Sequence, residues 1–218
     1  MASDGDPIDR WLHQGSSDPR EVAGRYDEWA RGYDDDLASW SYQAPAVVAE
    51  TVLARRPEAV TVLDVGCGTG LLGRALRERG FAGRIVGLDI SQASLEEARA
   101  SGAYSDVGHA DLQQRLPSAD DSVDVLACVG VMTYLPDVEE VWREFARVTR
   151  PGGLVVVTQR EDLWHTRGCE AVVDRLRDEG VWTPEASTGP APYLPEGYGG
   201  TPEVRCYYLT AVVGRGPA

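Results

Sequence analysis

Apolar residues along this chain change repeatedly between two spacings, that of a buried β-strand and that of an amphipathic helix. From Val60 onward, apolar runs alternate with helical segments that end in glycine: VTVLDV, LLGRALRERG, RIVGLDI and SLEEARASG. Further strands are predicted at YSDVGHAD, SVDVLACVGV, GLVVVTQ and RCYYLTAVV. Such alternation is typical of right-handed βαβ units, so it predicts an α/β fold with a parallel sheet that helices cover on both faces.

Helical spacing also marks the segment before the first strand. An aromatic stripe that includes Tyr26 and Tyr33 recurs on one face, and a second helix follows Pro45 and stops before Pro57. The residues before this region are polar and lack periodicity. The sequence therefore predicts a disordered tail over residues 1–18, a helical cap over 19–57 and one α/β core over 58–215.

The second half of the chain contains the clearest helix. It begins at Asp137, which forms a pattern like a capping box with Glu140, and it ends at Arg150 before a proline and two glycines. A further helix is predicted around Cys169. The Gly/Pro-rich segment from Gly189 to Pro202 is predicted to be a loop.

Composition and charge limit the kinds of molecule that the chain is expected to bind. At 218 residues and 43% hydrophobic, the chain can bury one sizeable core. A formal net charge of −14 disfavours nucleic acid, because a polyphosphate would be repelled. Lysine and asparagine are both absent, which we interpret as the codon bias of a GC-rich genome.

Cysteine spacing and hydropathy predict the compartment. Four widely separated cysteines show neither zinc spacing nor the density of a secreted disulfide scaffold. The N-terminal residues have no apolar core of a signal peptide, and no later run is long enough to cross a bilayer. We therefore expect a cytoplasmic protein with no membrane partner.

The segment LDVGCGTG places a glycine-rich turn between a strand and a helix, an arrangement that suits a nucleotide. A P-loop is excluded because it needs a lysine. A dinucleotide motif fits poorly, because its third glycine position is Leu71. What remains is an acidic residue followed by three alternate glycines.

This segment resembles motif I of the Rossmann-like, or class I, S-adenosylmethionine (SAM) methyltransferases. The resemblance implies SAM as the cofactor. It also implies that the cofactor-binding residues of this motif are Asp64, Gly66, Cys67, Gly68 and Gly70.

Three later motifs match the same family in order. Asp89 ends the second strand at the offset of a ribose-binding acid, with Ile90 implied to lie against the adenine. Asp111 matches the acceptor for the adenine amino group, and Leu112 supplies an adjacent backbone donor. The carbonyl of Cys128 is implied to face the methionyl ammonium.

Two segments narrow the resemblance further. RYDEWARGYDDDLASWSYQAP and TQREDLWHTRGCE look like the Williams–Beuren-region methyltransferase-like proteins and their bacterial relatives. That group implies seven strands, the last of them antiparallel, and an N-terminal helix that closes over SAM with Tyr26 and Tyr33 as contacts.

Each of these residues also has a purely structural interpretation. The glycines can form a tight turn without a ligand, and an aspartate at the end of a strand can be only a helix cap. The aromatic stripe can be core, and the acidic run from Asp34 to Asp36 is most simply a solvated helix end.

Absent motifs restrict the chemistry. The sequence lacks the Asn/Asp-Pro-Pro-aromatic motif of base N-methylation, the Pro-Cys nucleophile of cytosine methylation, the lysines of ribose methylation and the Asp-Asn pair of metal-dependent catechol enzymes. We therefore predict methyl transfer to O or N of a small molecule, without a metal. His165 and Tyr134 are the candidate catalytic residues. Four aromatic residues are candidate walls of the acceptor pocket: Trp40, Tyr42, Tyr193 and Tyr198.

Two other functions fit the same motifs. A SAM-binding enzyme of this fold can catalyse a rearrangement or elimination instead of methyl transfer. A non-catalytic SAM-binding module would keep the carboxylates but have no acceptor cleft.

Overall fold

The computed structural model describes residue 11 and residues 15–194 and 203–214. Seven strands form one sheet in the order β3-β2-β1-β4-β5-β7-β6. Strand β7 is antiparallel to both neighbours and the other pairings are parallel. The strands are β1 (Thr61–Val65), β2 (Arg84–Asp89), β3 (Asp106–His109), β4 (Val123–Cys128), β5 (Thr149–Arg160), β6 (Trp182–Leu194) and β7 (Val204–Val213). The predicted sheet, with its last strand antiparallel, is confirmed.

Seven helices and one 3₁₀ turn occur in the described residues, and they cover both faces of the sheet. They are α1 (Pro19–Ser39), α2 (Ala44–Arg55), α3 (Leu71–Glu78), α4 (Gln92–Ala100), the 3₁₀ turn (Met132–Tyr134), α5 (Val138–Val148), α6 (Glu161–Thr166) and α7 (Cys169–Asp178). Because strand side chains alternate between faces, Leu63 and Val65 pack with α5 and α7, whereas Val62 packs with α2 and α3.

The strand order places a topological switch point between β1 and β4. From β1 the chain adds β2 and β3 on one side, and then returns to add β4 and β5 on the other. The loop after β1 bends towards β2, since the backbone amides of Gly66 and Cys67 donate to the carbonyl of Leu88 at 2.7 and 3.0 Å. Open α/β sheets bind ligands at this position, beyond the carboxyl ends of the strands.

Helix α1 crosses this edge of the sheet. It begins at Pro19, after the side chain of Asp18 accepts the backbone amide of Arg20. The predicted tail over residues 1–18 lies largely outside the described residues and stays a prediction. Trp11, which is described, stacks on Tyr134 with 6.2 Å between ring centroids.

One predicted loop is wrong in part. The segment from Gly189 to Leu194 belongs to strand β6, which pairs with β7. Residues 195–202 of that predicted loop lie outside the described residues. None of the helices in the described ranges combines the length and apolar content that crossing a bilayer needs. All four cysteines are described, buried and unpaired.

Candidate functional site

The three glycines of the first loop have different roles. All have positive φ angles, of 73° at Gly66, 53° at Gly68 and 96° at Gly70. A Cβ atom at Gly66 would overlap the side chain of Val131, and one at Gly70 would lie 2.9 Å from the ring of Tyr104. At Gly68 a Cβ would meet no atom within 4 Å. Two glycines therefore permit close packing, while the third leaves open space above the loop.

Asp89 holds this loop in place. It is buried, and its two carboxylate oxygens accept the backbone amides of Gly68 at 2.7 Å and Ser91 at 2.9 Å. Burial raises the pKa of Asp89, and these hydrogen bonds act in the opposite direction. A carboxylate oxygen can accept more than one hydrogen bond, so both oxygens can also receive a donor from a ligand.

A cavity of about 630 Å³ lies above the glycine loop, and we call it the strand-tip cavity. The structure brings together here most of the residues predicted to bind the cofactor: Gly66, Gly68, Asp89, Ile90, Asp111, Leu112, Tyr26 and Tyr33. The predicted catalytic Tyr134 also lines it.

Four residues that were also predicted to bind the cofactor do not line this cavity: Asp64, Cys67, Gly70 and Cys128. Asp64 is only 1% exposed and accepts the hydroxyl of Tyr104 at 2.6 Å. Burial raises the pKa of Asp64 to about 7. Asp64 and Cys67 line a smaller cavity of about 330 Å³, which shares Gly66, Gly68 and Tyr33 with the first. Gly70 immediately precedes α3. Cys128 is fully buried, and the residues that line the strand-tip cavity at this position are 129–131.

A third cavity of about 540 Å³ adjoins the first, and we call it the aromatic cavity. The two share Tyr26, Tyr33, Gly130 and Tyr134. Its other aromatic residues include the predicted walls Trp40, Tyr42 and Tyr193, together with Trp29. The hydroxyls of Tyr42 and Tyr193 lie 2.6 Å apart, and those of Tyr26 and Tyr134 lie 2.9 Å apart. The predicted wall residue Tyr198 is outside the described residues.

The two predicted catalytic residues have different positions. Tyr134 lies at the boundary between the two larger cavities, and burial raises its pKa, so it stays protonated at neutral pH. His165 lies on the exposed side of α6, with its ring edge-on to Tyr207, and it lines none of the cavities above. The structure does not bring His165 into the site.

Sequence reasoning missed the residue that holds Tyr134 in position. Arg167 donates to the carbonyls of Met132, Thr133 and Leu135 at distances between 2.7 and 2.9 Å. These bonds satisfy two carbonyls of the 3₁₀ turn that carries Tyr134 and the carbonyl of the residue that follows it. Arg167 is a single arginine in a segment that contains other charged residues, so the sequence pattern did not indicate this contact.

Two aspartates attach α1 to the sheet edge. Asp27 accepts the hydroxyl of Ser91 at 2.7 Å, and Asp34 accepts the hydroxyl of Thr69 at 2.5 Å and pairs with Arg74. The interpretation of residues 34–36 as a solvated helix end is therefore wrong for Asp34. It is also wrong for Asp36, whose carboxylate accepts the indole N–H of Trp29 at 2.6 Å. The sequence did contain one signal of the contacts of Asp27 and Asp34. Positions 27 and 34 are seven residues apart, so their side chains lie on the same face of the helix.

The chain is similar in sequence to known methyltransferase domains and proteins. A family model described as a methyltransferase domain matches residues 63–157. Human methyltransferase-like protein 27 is 35% identical over 171 residues, which are 72% of this chain and 66% of that protein. The ubiquinone biosynthesis O-methyltransferase of Neisseria meningitidis is 36% identical over 101 residues, which are 43% of this chain and 41% of that protein. The matched regions thus span two thirds or less of these relatives.

Solved structures share the fold. A chain from the Haloferax volcanii complex between the Trm112 methyltransferase activator and a methyltransferase aligns with a TM-score of 0.65 at 24% identity. The alignment covers 87% of this chain and 98% of that one. At this level of identity the likeness concerns the fold alone.

Proposed function

The chain belongs to the Rossmann-like class I SAM-dependent methyltransferases, and from this premise we propose that it transfers the methyl group of SAM to an oxygen or nitrogen atom of a small-molecule metabolite. The observation that carries the proposal is the adjacency of the strand-tip and aromatic cavities, which share Tyr26, Tyr33 and Tyr134. Methyl transfer needs a cofactor and an acceptor side by side, and these cavities provide two such compartments.

The residues of the strand-tip cavity fit SAM. Above Gly68 the backbone is open to a close approach, and the carboxylates of Asp89 and Asp111 line the cavity. We infer that Asp89 accepts the ribose hydroxyls, that Asp111 accepts the adenine amino group, and that Ile90 lies against the ring. When bound, SAM supplies a methyl group activated by a sulfonium charge. Carboxylates in the lining would favour a cationic ligand over an anionic one.

The protein contributes mainly position and exclusion of water. Correct alignment of an acceptor can supply about 7–11 kcal/mol of the barrier through effective molarity. Helix α1 covers the junction of the cavities with Tyr26 and Tyr33, and it is fastened at Asp27 and Asp34. The relative that carries the name ubiquinone biosynthesis O-methyltransferase supports a small-molecule acceptor.

The proposed activity is tested with methyl-labelled SAM and an extract of the source organism. We expect the purified protein to produce S-adenosylhomocysteine and one labelled small molecule in equal amounts, because methyl transfer converts each SAM into one of each. Mass spectrometry identifies both products. A protein that binds SAM but forms no S-adenosylhomocysteine in any extract fraction would instead be a SAM-binding module or an enzyme of another type.

The attachment of α1 leads to a prediction of small effect. In Asp34→Ala the helix loses its contacts to Thr69 and Arg74, so SAM should dissociate faster. The side chain of Asp34 is 43% exposed. An ion pair this exposed contributes about 0–1 kcal/mol, so the Kd for SAM should rise by no more than about 5-fold.

Stopped-flow measurement of SAM release checks this prediction. The matched control is Asp35→Ala, because Asp35 is the next residue on the same helix and is exposed. Equal release rates in the two variants would show that the contact of Asp34 with the loop does not retain the cofactor.

A further inference from the structure

The hydroxyl of Tyr104 connects the first turn of α3 with the carboxylate of Asp64. It accepts the backbone amide of Gly73 at 3.0 Å and donates to Oδ2 of Asp64 at 2.6 Å. The first four amides of an α-helix have no partner within the helix, and Gly73 is the third residue of α3. Because the hydroxyl accepts this amide through a lone pair, its single proton points to the carboxylate. The direction of the hydrogen bond between Tyr104 and Asp64 is therefore fixed.

Three glycines make room for the ring of Tyr104. A Cβ atom would lie 2.4 Å from the ring at Gly73, 2.9 Å at Gly70 and 3.0 Å at Gly87. These glycines belong to α3, to the loop after β1 and to β2. The backbone of three segments thus holds the ring in place beside Asp64.

Asp64 lines a cavity, whereas Tyr104 does not. The smaller cavity of about 330 Å³ has Asp64 in its wall and shares Gly66, Gly68 and Tyr33 with the strand-tip cavity. Tyr104 lines none of the three cavities described above. A carboxylate can accept several hydrogen bonds, so the bond from Tyr104 leaves Asp64 able to interact with a ligand. Any effect of Tyr104 on a ligand in these cavities therefore passes through Asp64.

Burial, Asp89 and Tyr104 affect the ionisation of Asp64 in different directions. Burial raises the pKa of Asp64 to about 7, and the negative charge of Asp89 adds to that rise. The hydrogen bond from Tyr104 lowers the pKa of Asp64, because it stabilises the ionised form. Tyr104 stays protonated, since burial raises its own pKa well above the ordinary value.

The other titratable groups near Asp64 lie in the surrounding strands, loops and helices. Burial raises the pKa of four of them, which are neutral at pH 7: Cys67, Cys128, Tyr33 and Tyr42. Asp34 pairs with Arg74 and accepts the hydroxyl of Thr69, which also lines the smaller cavity. His109 is opposite Asp89 in the sheet and lowers the pKa of Asp89. A substitution at Tyr104 leaves all of these groups in place, so a comparison with the wild type isolates Asp64.

Resting on the proposed function, we propose that Tyr104 is a positioning residue for cofactor binding. Its hydrogen bond keeps Asp64 ionised and oriented at the smaller cavity, where the carboxylate stabilises the positive charge of SAM. A buried carboxylate attracts a cation more strongly than an exposed one does, because the surroundings screen the charges less than water.

A pH profile of SAM binding tests this role. Asp64 is ionised above a pKa of about 7 and neutral below it, so the affinity for SAM should increase as the pH rises through about 7. Tyr104→Phe removes the bond that lowers this pKa, so the same increase should occur at higher pH. We expect a Kd for SAM about 5–20-fold above that of the wild type at pH 7, and within about 2-fold of it at pH 9. The ionisation of SAM itself is the same for both proteins and cancels in the ratio of the two Kd values.

Calorimetric titration at both pH values gives these ratios, and thermal denaturation shows that the variants are folded. A merely structural loss in Tyr104→Phe would raise Kd by the same factor at pH 7 and pH 9, and that result would overturn the proposal. Failure of the wild-type protein to bind SAM at either pH would instead remove the proposed function.

A second variant tests whether Tyr104 acts through Asp64. The side chain of Asp64→Asn cannot ionise, so this variant should bind SAM weakly at both pH values, and adding Tyr104→Phe to it should not change Kd. A further rise of about 5-fold in the double variant would contradict the proposal. The control is Tyr207→Phe, which loses a hydroxyl from a ring that stacks on Trp164 and lines none of the cavities. It should keep the wild-type Kd at both pH values.

Discussion

Replacing Gly68 by alanine should weaken SAM binding by at least about 10–100-fold, because forcing a methyl group into a filled site costs about 1–3 kcal/mol or more. In the structure this Cβ would meet no atom within 4 Å, so the fold has room for it. The open space is part of the strand-tip cavity, where we propose that SAM lies. The alanine would therefore collide with the cofactor and not with the protein.

A modest loss of stability should accompany this change. Gly68 has φ +53°, and an alanine in that left-handed region costs about 1–2 kcal/mol of unfolding free energy. Calorimetric titration with SAM and thermal denaturation of the same sample separate the two effects. We expect a large change in Kd and a small change in Tm.

The matched control is Gly102→Ala. Gly102 also has a positive φ, of 68°, and a Cβ there would also meet no atom within 4 Å. It follows α4 and lines none of the cavities described above. The control should therefore lose a similar amount of stability and keep its affinity for SAM. Equal losses of affinity in both variants would place the cofactor somewhere other than above the glycine loop.

Local patterns were sufficient to predict the first part of the fold. Strands β1 to β5 are short apolar runs next to strong helical segments, and the glycines that follow the helices mark their ends. Once βαβ units are assumed, handedness and strand order bring the tips of the strands to one edge. For this reason Asp89 and Asp111 could be predicted to lie together although 22 positions separate them.

Strand β6 could not be predicted in the same way. Its segment contains Pro184, Pro190 and Pro192, and it has no regular alternation of apolar and polar residues. Pairing with β7 creates this strand at the edge of the sheet, where prolines and shifts of register are tolerated. Tyr193 reaches the aromatic cavity through that pairing, although its role as a wall was predicted from its aromatic ring.

Long-range contacts account for the remaining differences. Asp34 meets Thr69 and Arg74 across 35 and 40 positions, so the acidic run alone did not reveal its contact. His165 follows a strand that ends at the site, but α6 turns its side chain to the surface. Arg160, one residue before α6, is the side chain that lines the aromatic cavity.

Replacing Asp89 by alanine should raise the Kd for SAM by about 10–100-fold, since the loss of hydrogen bonds to a charged group costs about 1.5–3 kcal/mol. The loss has two origins, because the side chain would accept the ribose hydroxyls and also accepts the backbone amides of Gly68 and Ser91. Removing it leaves those amides without their partner, so the glycine loop should loosen and Tm should fall as well.

Comparison with two further variants separates these origins. Asp89→Asn keeps one acceptor oxygen and can hold one of the amides, so it should lose less stability than Asp89→Ala while still binding SAM weakly. Tyr33→Ala removes a ring that touches all three cavities but no proposed hydrogen bond to SAM. Calorimetry should therefore show a smaller loss of affinity for Tyr33→Ala than for Asp89→Ala. If the order is reversed in folded protein, helix α1 and not the edge of the sheet supplies most of the binding free energy.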